Sequence, residues 1–468
     1  MHGPHTPQDH ATGRGTGPRR WPGVLSLLLV VLISYMDRVN VSVLITDRSF
    51  TDHFGMTGDR VLQGALMTVF LLGYGIAAFF LTPLYESALG TRRGLLLSVA
   101  LWAALTLVSP YALGALTFLA LRFALGASEG PLFSLKTMYV KEHFAPGERG
   151  RPNAVSSMGV SLGTAAGLPL ITYLVHAYDW HLSFVLLAAL NAAVGLPLVA
   201  LFIRGRRGPA HHGPAHQDTP AHGTTPPPAP APRRRVRATL REALRTPALG
   251  RILLIEIATL AYLWGSTSWL PAYLLQERHF SLTRTGTVSA LPFLMSLASG
   301  FLGGHLIDKL PARRLPLLFV TGSLGTAACV LLVITADADW LATTGLVLAG
   351  GFWGLQGPAI PTLVQRHAPH GTVGSTYGVV NGVGNLVSAF MPTAMGAAIA
   401  LGGGHGFGAG YALLIGTQAV TLVCGARLLT RPPHDGDRPP ATPQAEAPSP
   451  GSPASTIDRS SFDNKRAN

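Results

Sequence analysis

The sequence has 468 residues, of which only 12% are charged and 2 are cysteine, against 48% that are apolar. So little charge cannot cover the apolar surface of one soluble globule of this size, which excludes that class. Both cysteines, Cys329 and Cys424, fall inside apolar runs, so free thiols are expected and a disulfide framework is not. Short alternating segments, the mark of a membrane barrel, are missing. So are a P-loop, a metal-ligand cluster and a nucleophile elbow; the nearest approach, GASEG at 126–130, sits inside an apolar run. Neither an enzyme nor a resident cofactor or metal is expected. No small-residue cleavage site follows the first apolar stretch, which argues against a removable signal peptide.

What the sequence does have is long apolar runs. A helix needs about 20 mostly apolar residues to cross a bilayer, and roughly twelve such runs occur, at about 22–46, 61–85, 93–110, 114–140, 153–177, 181–203, 250–276, 286–308, 313–336, 340–365, 372–399 and 407–429. The expected fold class is an all-α membrane protein with twelve transmembrane helices. Cations explain the net charge of +13, and their placement matters. They gather before the first run, in GTRRG (90–94), KEHFAPGERGR (141–151), 204–251, DKLPARR (308–314) and after 427, all on one face if the runs alternate. The opposite loops DRSFTDHFGMTGDR (47–60), AYDW (177–180) and ADADW (336–340) hold few. Positive-inside bias then places both termini in the cytoplasm and the chain in the cytoplasmic membrane. The lipid bilayer, and not nucleic acid, is the expected partner of this basic chain.

The chain divides into a disordered N-terminus (1–21), a six-helix bundle (22–203), a polar linker (204–248), a second six-helix bundle (249–429) and a disordered tail (430–468). The linker contains HHGPAHQDTPAHGTTPPPAPAPRRRVR, whose histidines lack a fixed ligand spacing and read as a solvated segment. The two bundles echo each other at an offset of 221 residues, which pairs Arg92 with Arg313, Arg93 with Arg314, Gly150 with Gly371 and Gly163 with Gly384. Such a repeat implies two pseudo-symmetric halves related by an axis along the membrane normal, with a binding site between them at mid-membrane.

Ionisable residues inside a bilayer cost a few kcal/mol and usually mark a partner or a water-filled path. We read four: Asp37 and Arg38 in SYMDRVNVSVLI (34–45), and Arg122 and Glu129 in the fourth run. Arg122 and Glu129 lie two helical turns apart on one face. Asp37 and Arg38 differ by about 100° around their helix, so one can face span 4 while the other reaches the cavity. Two acids and two arginines sum to zero; an anionic substrate upsets that balance and protonating the acids restores it. A planar guanidinium suits a carboxylate, which makes Arg38 the docking group. Burial and a neighbouring arginine act in opposite senses on a carboxyl group's proton affinity, which leaves such acids able to change state. Arg122 can contribute to substrate binding or latch Glu129.

Supporting side chains come from four places. Tyr35 and Tyr74 in FLLGYG can bond substrate hydroxyls or orient the charges. GGFWGLQGPAIP (350–361) is broken by glycine and proline and carries Trp353 and Gln356, and broken helices tend to line a site. Asn381 and Asn385 lie four residues apart on one face of span 11. Tyr262 and Trp264 on span 7 are weaker candidates, and Gly159, Gly163 and Gly167 form a stripe suited to close helix approach.

These motifs carry a resemblance. GHLIDKLPARR (304–314) resembles the loop motif of the major facilitator superfamily, with Pro311 in place of its usual glycine, and the first-half copy departs further with Ser87-Ala88 after Glu86. The resemblance implies a gating loop built from Arg92, Arg93, Asp308, Arg313 and Arg314. YMDRVNVSV (35–43), RFALGASEGPLFS (122–134), FAPGERGRPNAV (144–155) and YGVVNGVGNLVSAFMP (377–392) are similar to the anion:cation symporter branch, which includes bacterial sugar-acid transporters and animal sialic-acid and vesicular glutamate carriers. That branch implies proton sites at Asp37 and Glu129, a substrate arginine at Arg38, and import of a small organic anion with protons by a monomeric carrier. Its span-11 pattern Asn-x-x-Gly-Asn matches Asn381 and Asn385. Thr259 stands where vesicular glutamate carriers place an arginine, which points toward the bacterial uptake members. A proton-coupled efflux carrier for a drug or secreted metabolite is the alternative, and span 5 lacks the Gly-Pro-x-x-Gly-Gly signature of drug antiporters.

Overall fold

The computed structural model describes residues 20–81, 85–144, 148, 150–203, 247–367, 373–403 and 406–430. The expected disorder of both tails and the polar course of the linker fall on residues outside the described ones, as does the side chain of Asp308.

Continuous apolar sequence gives helix wherever it runs, because in lipid every backbone N–H and C=O has to bond within its own segment. Span 1 is Trp21–Leu44, span 2 Arg60–Phe80 and span 3 Gly90–Val108. Span 4 comes in two pieces, Ala115–Glu129 and Leu132–His143, and span 5 is Gly150–Ala177. Span 6 runs from Trp180–Leu190 through a π-helical turn at Asn191–Gly195 into Leu196–Phe202. The second half repeats this order. Spans 7, 8 and 9 are Pro247–Ala272, Leu282–Lys309 and Leu317–Thr335. Span 10 is Asp339–Gln356 with Ala359–His367, span 11 Val373–Ser388 with Met391–Leu401, and span 12 Phe407–Leu429. Where the chain leaves the apolar run, short polar side chains close the helix: Asp59 Oδ1 accepts from the Leu62 N–H at 2.9 Å and Ser281 Oγ from the Arg284 N–H at 3.3 Å.

Ten of these helices are long and apolar enough to cross a bilayer by themselves. The other two, spans 4 and 10, are both interrupted at a Gly-Pro step, Gly130-Pro131 and Gly357-Pro358, because proline cannot supply the N–H that would continue the helix. The sequence signals the break in span 10, whereas spans 4 and 11 read as continuous and are not.

Close backbone contacts reveal the internal symmetry. A Cβ on Gly126 or Gly130 of span 4 would collide with the carbonyls of Phe70 and Tyr74 on span 2, and a Cβ on Gly350 or Gly354 of span 10 would collide with those of Pro292 and Ser296 on span 8. Likewise Gly163 of span 5 lies against Leu32 and Tyr35 of span 1, and Gly384 of span 11 against Glu256 and Leu260 of span 7. Glycine thus marks the same helix crossings in both halves.

The halves meet where span 1 packs on span 7, span 2 on span 11 and span 5 on span 8. Two hydrogen bonds join them among the described residues: Arg60 Nη2 to Gln276 Oε1 at 2.6 Å, and Thr68 Oγ1 with Thr393 Oγ1 at 2.8 Å. Both lie toward the end of the molecule that carries the 45–59 loop, where Arg60 also sits 5.6 Å over the Phe407 ring. At that end the halves are clasped.

Candidate functional site

At mid-depth span 1 presents Ser34, Tyr35, Asp37 and Arg38, all buried. Arg38 Nη2 donates to Glu129 Oε2 of span 4 at 3.0 Å, with the two side chains 1% and 0% exposed. Ser34 Oγ, one turn earlier on span 1, donates to the same oxygen at 2.7 Å. Glu129 Oε1 and Arg38 Nε have no hydrogen-bond partner among the described residues. Such a pair, withdrawn from water, is more costly to disrupt on one side than to replace whole, since either partner alone is an uncompensated buried charge.

Four aromatic rings enclose the guanidinium. Its central carbon lies 4.4 Å from the Tyr35 ring centroid, 4.9 Å from Tyr74, 5.0 Å from Phe70 and 5.1 Å from Trp264. Tyr35 and Trp264 themselves stack at 6.3 Å across the boundary between the halves. The cage therefore draws on both halves, and aromatic faces hold a cation without neutralising it.

Asp37 points elsewhere. Its Oδ2 accepts from Thr106 Oγ1 of span 3 at 2.7 Å and from Asn191 Nδ2 of span 6 at 3.3 Å, so its hydrogen bonds run to spans 3 and 6 and not to span 4. Asn191 is held in turn by Trp102, whose Nε1 donates to its Oδ1 at 2.6 Å. All these donors are neutral, and Asp37 Oδ1 has no hydrogen-bond partner among the described residues. Arg122 makes no hydrogen bond to Glu129: its guanidinium lies 4.7 Å over Phe70, and among the described residues none of its three nitrogens has a hydrogen-bond partner.

The second half supplies a more neutral wall. Trp353 Nε1 donates to the Thr259 carbonyl at 3.1 Å and its ring stacks on Tyr262 at 6.1 Å. Asn385 Nδ2 donates to the Asn381 carbonyl at 3.0 Å, and Asn381 Nδ2 donates to Glu256 Oε1 of span 7 at 2.9 Å. Gln356 is turned away from the Arg38 cage, packed against Gly322 on span 9 with its Nε2 toward the Phe352 carbonyl at 3.4 Å. Of the loop residues, Arg92 donates to the Ala200 carbonyl at 2.7 Å, while Arg93, Arg313 and Arg314 are exposed.

The structure thus brings Tyr35, Tyr74, Arg38 and Glu129 together, with Arg122 beside them on Phe70, and leaves Gln356 and the loop arginines outside. Sequence reasoning counts four intramembrane charges and overlooks two more. Lys136, on the second piece of span 4, donates to Ser157 Oγ at 2.7 Å, and Glu256 is buried on span 7. Both stand as charged letters inside apolar runs, the same signal that reveals Arg38. Ser34, Thr106 and Asn191 carry no comparable signal, since isolated small polar residues are common in membrane helices.

Residues 27–392 match the family model of the Major Facilitator Superfamily. The chain is 26% identical to the probable galactarate/D-glucarate transporter of Bacillus subtilis (strain 168), over 88% of this chain and 92% of that protein. It is 25% identical to the D-galactonate transporter of Escherichia coli O6:H1, over 87% and 94%. Among solved structures, a D-xylose-proton symporter has the same fold at a TM-score of 0.69 and 14% identity, over 88% of this chain and 97% of that one. Both curated relatives are of the sugar-acid group that the sequence motifs resemble. A family match across most of the chain, a twelve-span fold with two equivalent halves, and a buried charge cage between them identify a multi-pass membrane transporter and not an enzyme: the chain belongs to the Major Facilitator Superfamily.

Proposed function

We propose that this carrier imports a small organic acid of the sugar-acid class together with protons, as a single chain, by rocking its two six-helix halves about the Arg38 cage. The observation that carries the reading is the buried Arg38–Glu129 bridge, 3.0 Å long and enclosed by rings from both halves. While Glu129 is ionised it occupies the guanidinium. A proton on a Glu129 oxygen removes that charge, and the fork of Arg38 is then free to take a substrate carboxylate with two parallel N–H···O bonds. Charge is conserved in the cage throughout: one proton enters for each carboxylate. Asp37, held only by the neutral Thr106 and Asn191 donors, is a second site able to take a proton without breaking an ion pair.

The arginine distribution places both termini and the 204–248 segment in the cytoplasm. On that orientation the Arg60–Gln276 and Thr68–Thr393 clasp lies at the outer end. The curated relatives support an acid substrate, since both are named as sugar-acid transporters.

The test is uptake of labelled aldonates, hexuronates and aldarates into proteoliposomes with an imposed inside-alkaline gradient. At least one acid should accumulate. Glu129→Gln should abolish gradient-driven accumulation while exchange of internal for external acid survives. Expulsion of a neutral or cationic compound on proton influx, with no acid entering, would establish the efflux alternative.

A further inference from the structure

A carboxylate with no counter-charge stands in the half opposite Arg38. Glu256 is 4% exposed, and its Oε1 accepts from Asn381 Nδ2 at 2.9 Å. No described cation pairs with it, and its second oxygen accepts no hydrogen bond from a described residue. The other buried cations lie in the first half: Lys136 is engaged by Ser157 at 2.7 Å and lies 4.7 Å over the Phe133 ring, and Arg122 lies 4.7 Å over Phe70.

Internal symmetry fixes where Glu256 stands. The 221-residue offset that pairs Gly163 with Gly384 also pairs Tyr35 with Glu256, and the two glycines rest on these stretches, Gly163 on Leu32 and Tyr35 and Gly384 on Glu256 and Leu260. Tyr35 is a wall of the cage, stacked on Trp264 of span 7. Glu256 is one helical turn from Thr259, at a depth differing by about 4.5 Å, and Thr259 is the residue that receives Trp353. Twins about the central axis face one another across it.

We propose that Glu256 selects acids with a single carboxylate, aldonates or uronates, against aldarates, which carry one at each end. With the carboxylate on Arg38, the open oxygen of Glu256 accepts a hydrogen bond from a hydroxyl further along the substrate. A second carboxylate brought to the same place lies against this acid, and two neighbouring carboxylates in a buried site do not both stay ionised without cost, so the aldarate binds more weakly than the aldonate. Specificity then comes from an element that repels as well as one that attracts. The inference rests on the organic-acid reading above.

The experiment is competition in the reconstituted full chain: exchange of a labelled six-carbon aldonate, inhibited by the unlabelled aldonate or by the aldarate of the same carbon skeleton. The aldonate should compete at least about tenfold better, a difference of about 1.4 kcal/mol. In Glu256→Gln the ratio should fall toward unity, whatever the absolute rate. Equal or better competition by the aldarate in the unaltered protein overturns the proposal without reference to any variant. So does an unchanged ratio in a Glu256→Gln protein that still exchanges aldonate. If neither acid is exchanged, the proposed function itself fails and this inference with it.

Discussion

Where one half of the molecule joins Glu129 to Arg38, the other joins Trp353 to the backbone of Thr259. Glu129 precedes Gly130 as Trp353 precedes Gly354, and both glycines rest on a carbonyl of the partner helix. Spans 1 and 7 are matched in the same way by the seats of Tyr35 and Glu256. The same crossing is therefore closed by an ion pair of 3.0 Å in the first half and by a neutral hydrogen bond of 3.1 Å in the second. A neutral bond fixes one geometry and holds it. An ion pair in a dry site has two states, since a proton on the acid dissolves it and leaves the arginine seeking another anion. On the proposed mechanism the duplicated architecture carries a switch on one side and a fixed abutment on the other.

The largest effect should come from breaking the charged side. Arg38→Ala leaves Glu129 buried with only Ser34 as donor, which should abolish acid transport and destabilise the protein by about 3–5 kcal/mol, read by uptake and by thermal unfolding in detergent. Arg38→Lys keeps the charge and loses the fork, so folding should be retained while apparent affinity falls about tenfold. A loss no greater for Arg38→Ala than for Arg38→Lys would remove the distinction between the halves.

Next in size are the paired glycines. Gly130→Val and Gly354→Val each force a side chain into a carbonyl of the neighbouring span, and each should cost about 1–3 kcal/mol. Similar unfolding shifts would show that the two crossings are mechanically equivalent. A shift confined to one half would break the equivalence on which the comparison stands.

The smallest effect belongs to the neutral contact. Trp353→Phe keeps an aromatic ring against Tyr262 but removes the N–H to Thr259, with an expected cost of about 1 kcal/mol and acid uptake within a few-fold of the unaltered rate. A loss of coupling as complete as that of Glu129→Gln would mean that the second half also switches.

Much of this was readable before any coordinates. Arg38 and Glu129 stand out because a charge in an apolar run has few innocent explanations, and their helical positions suffice to predict that they share the boundary between spans. Asp37 was harder. Its partners Thr106 and Asn191 are small polar residues on distant spans, and nothing in their spacing says which way span 1 is rotated. The Gly130-Pro131 break in span 4 was also hidden, since Gly-Pro inside an apolar run reads as a tolerated kink as easily as a break. The twin contacts were only partly legible, because one sequence offset aligns Gly163 with Gly384 but does not bring Gly130 onto Gly354; the loops between spans differ in length in the two halves.

The clasp near the 45–59 loop has a kinetic meaning. Its polar part is two hydrogen bonds, Arg60–Gln276 and Thr68–Thr393, with a combined net value of about 1–3 kcal/mol. They are one part of what holds that end closed, since opening it also separates span 2 from span 11. On the proposed mechanism the clasp parts and re-forms once in every cycle, so its strength governs how fast solute crosses and not how steep a gradient can be sustained.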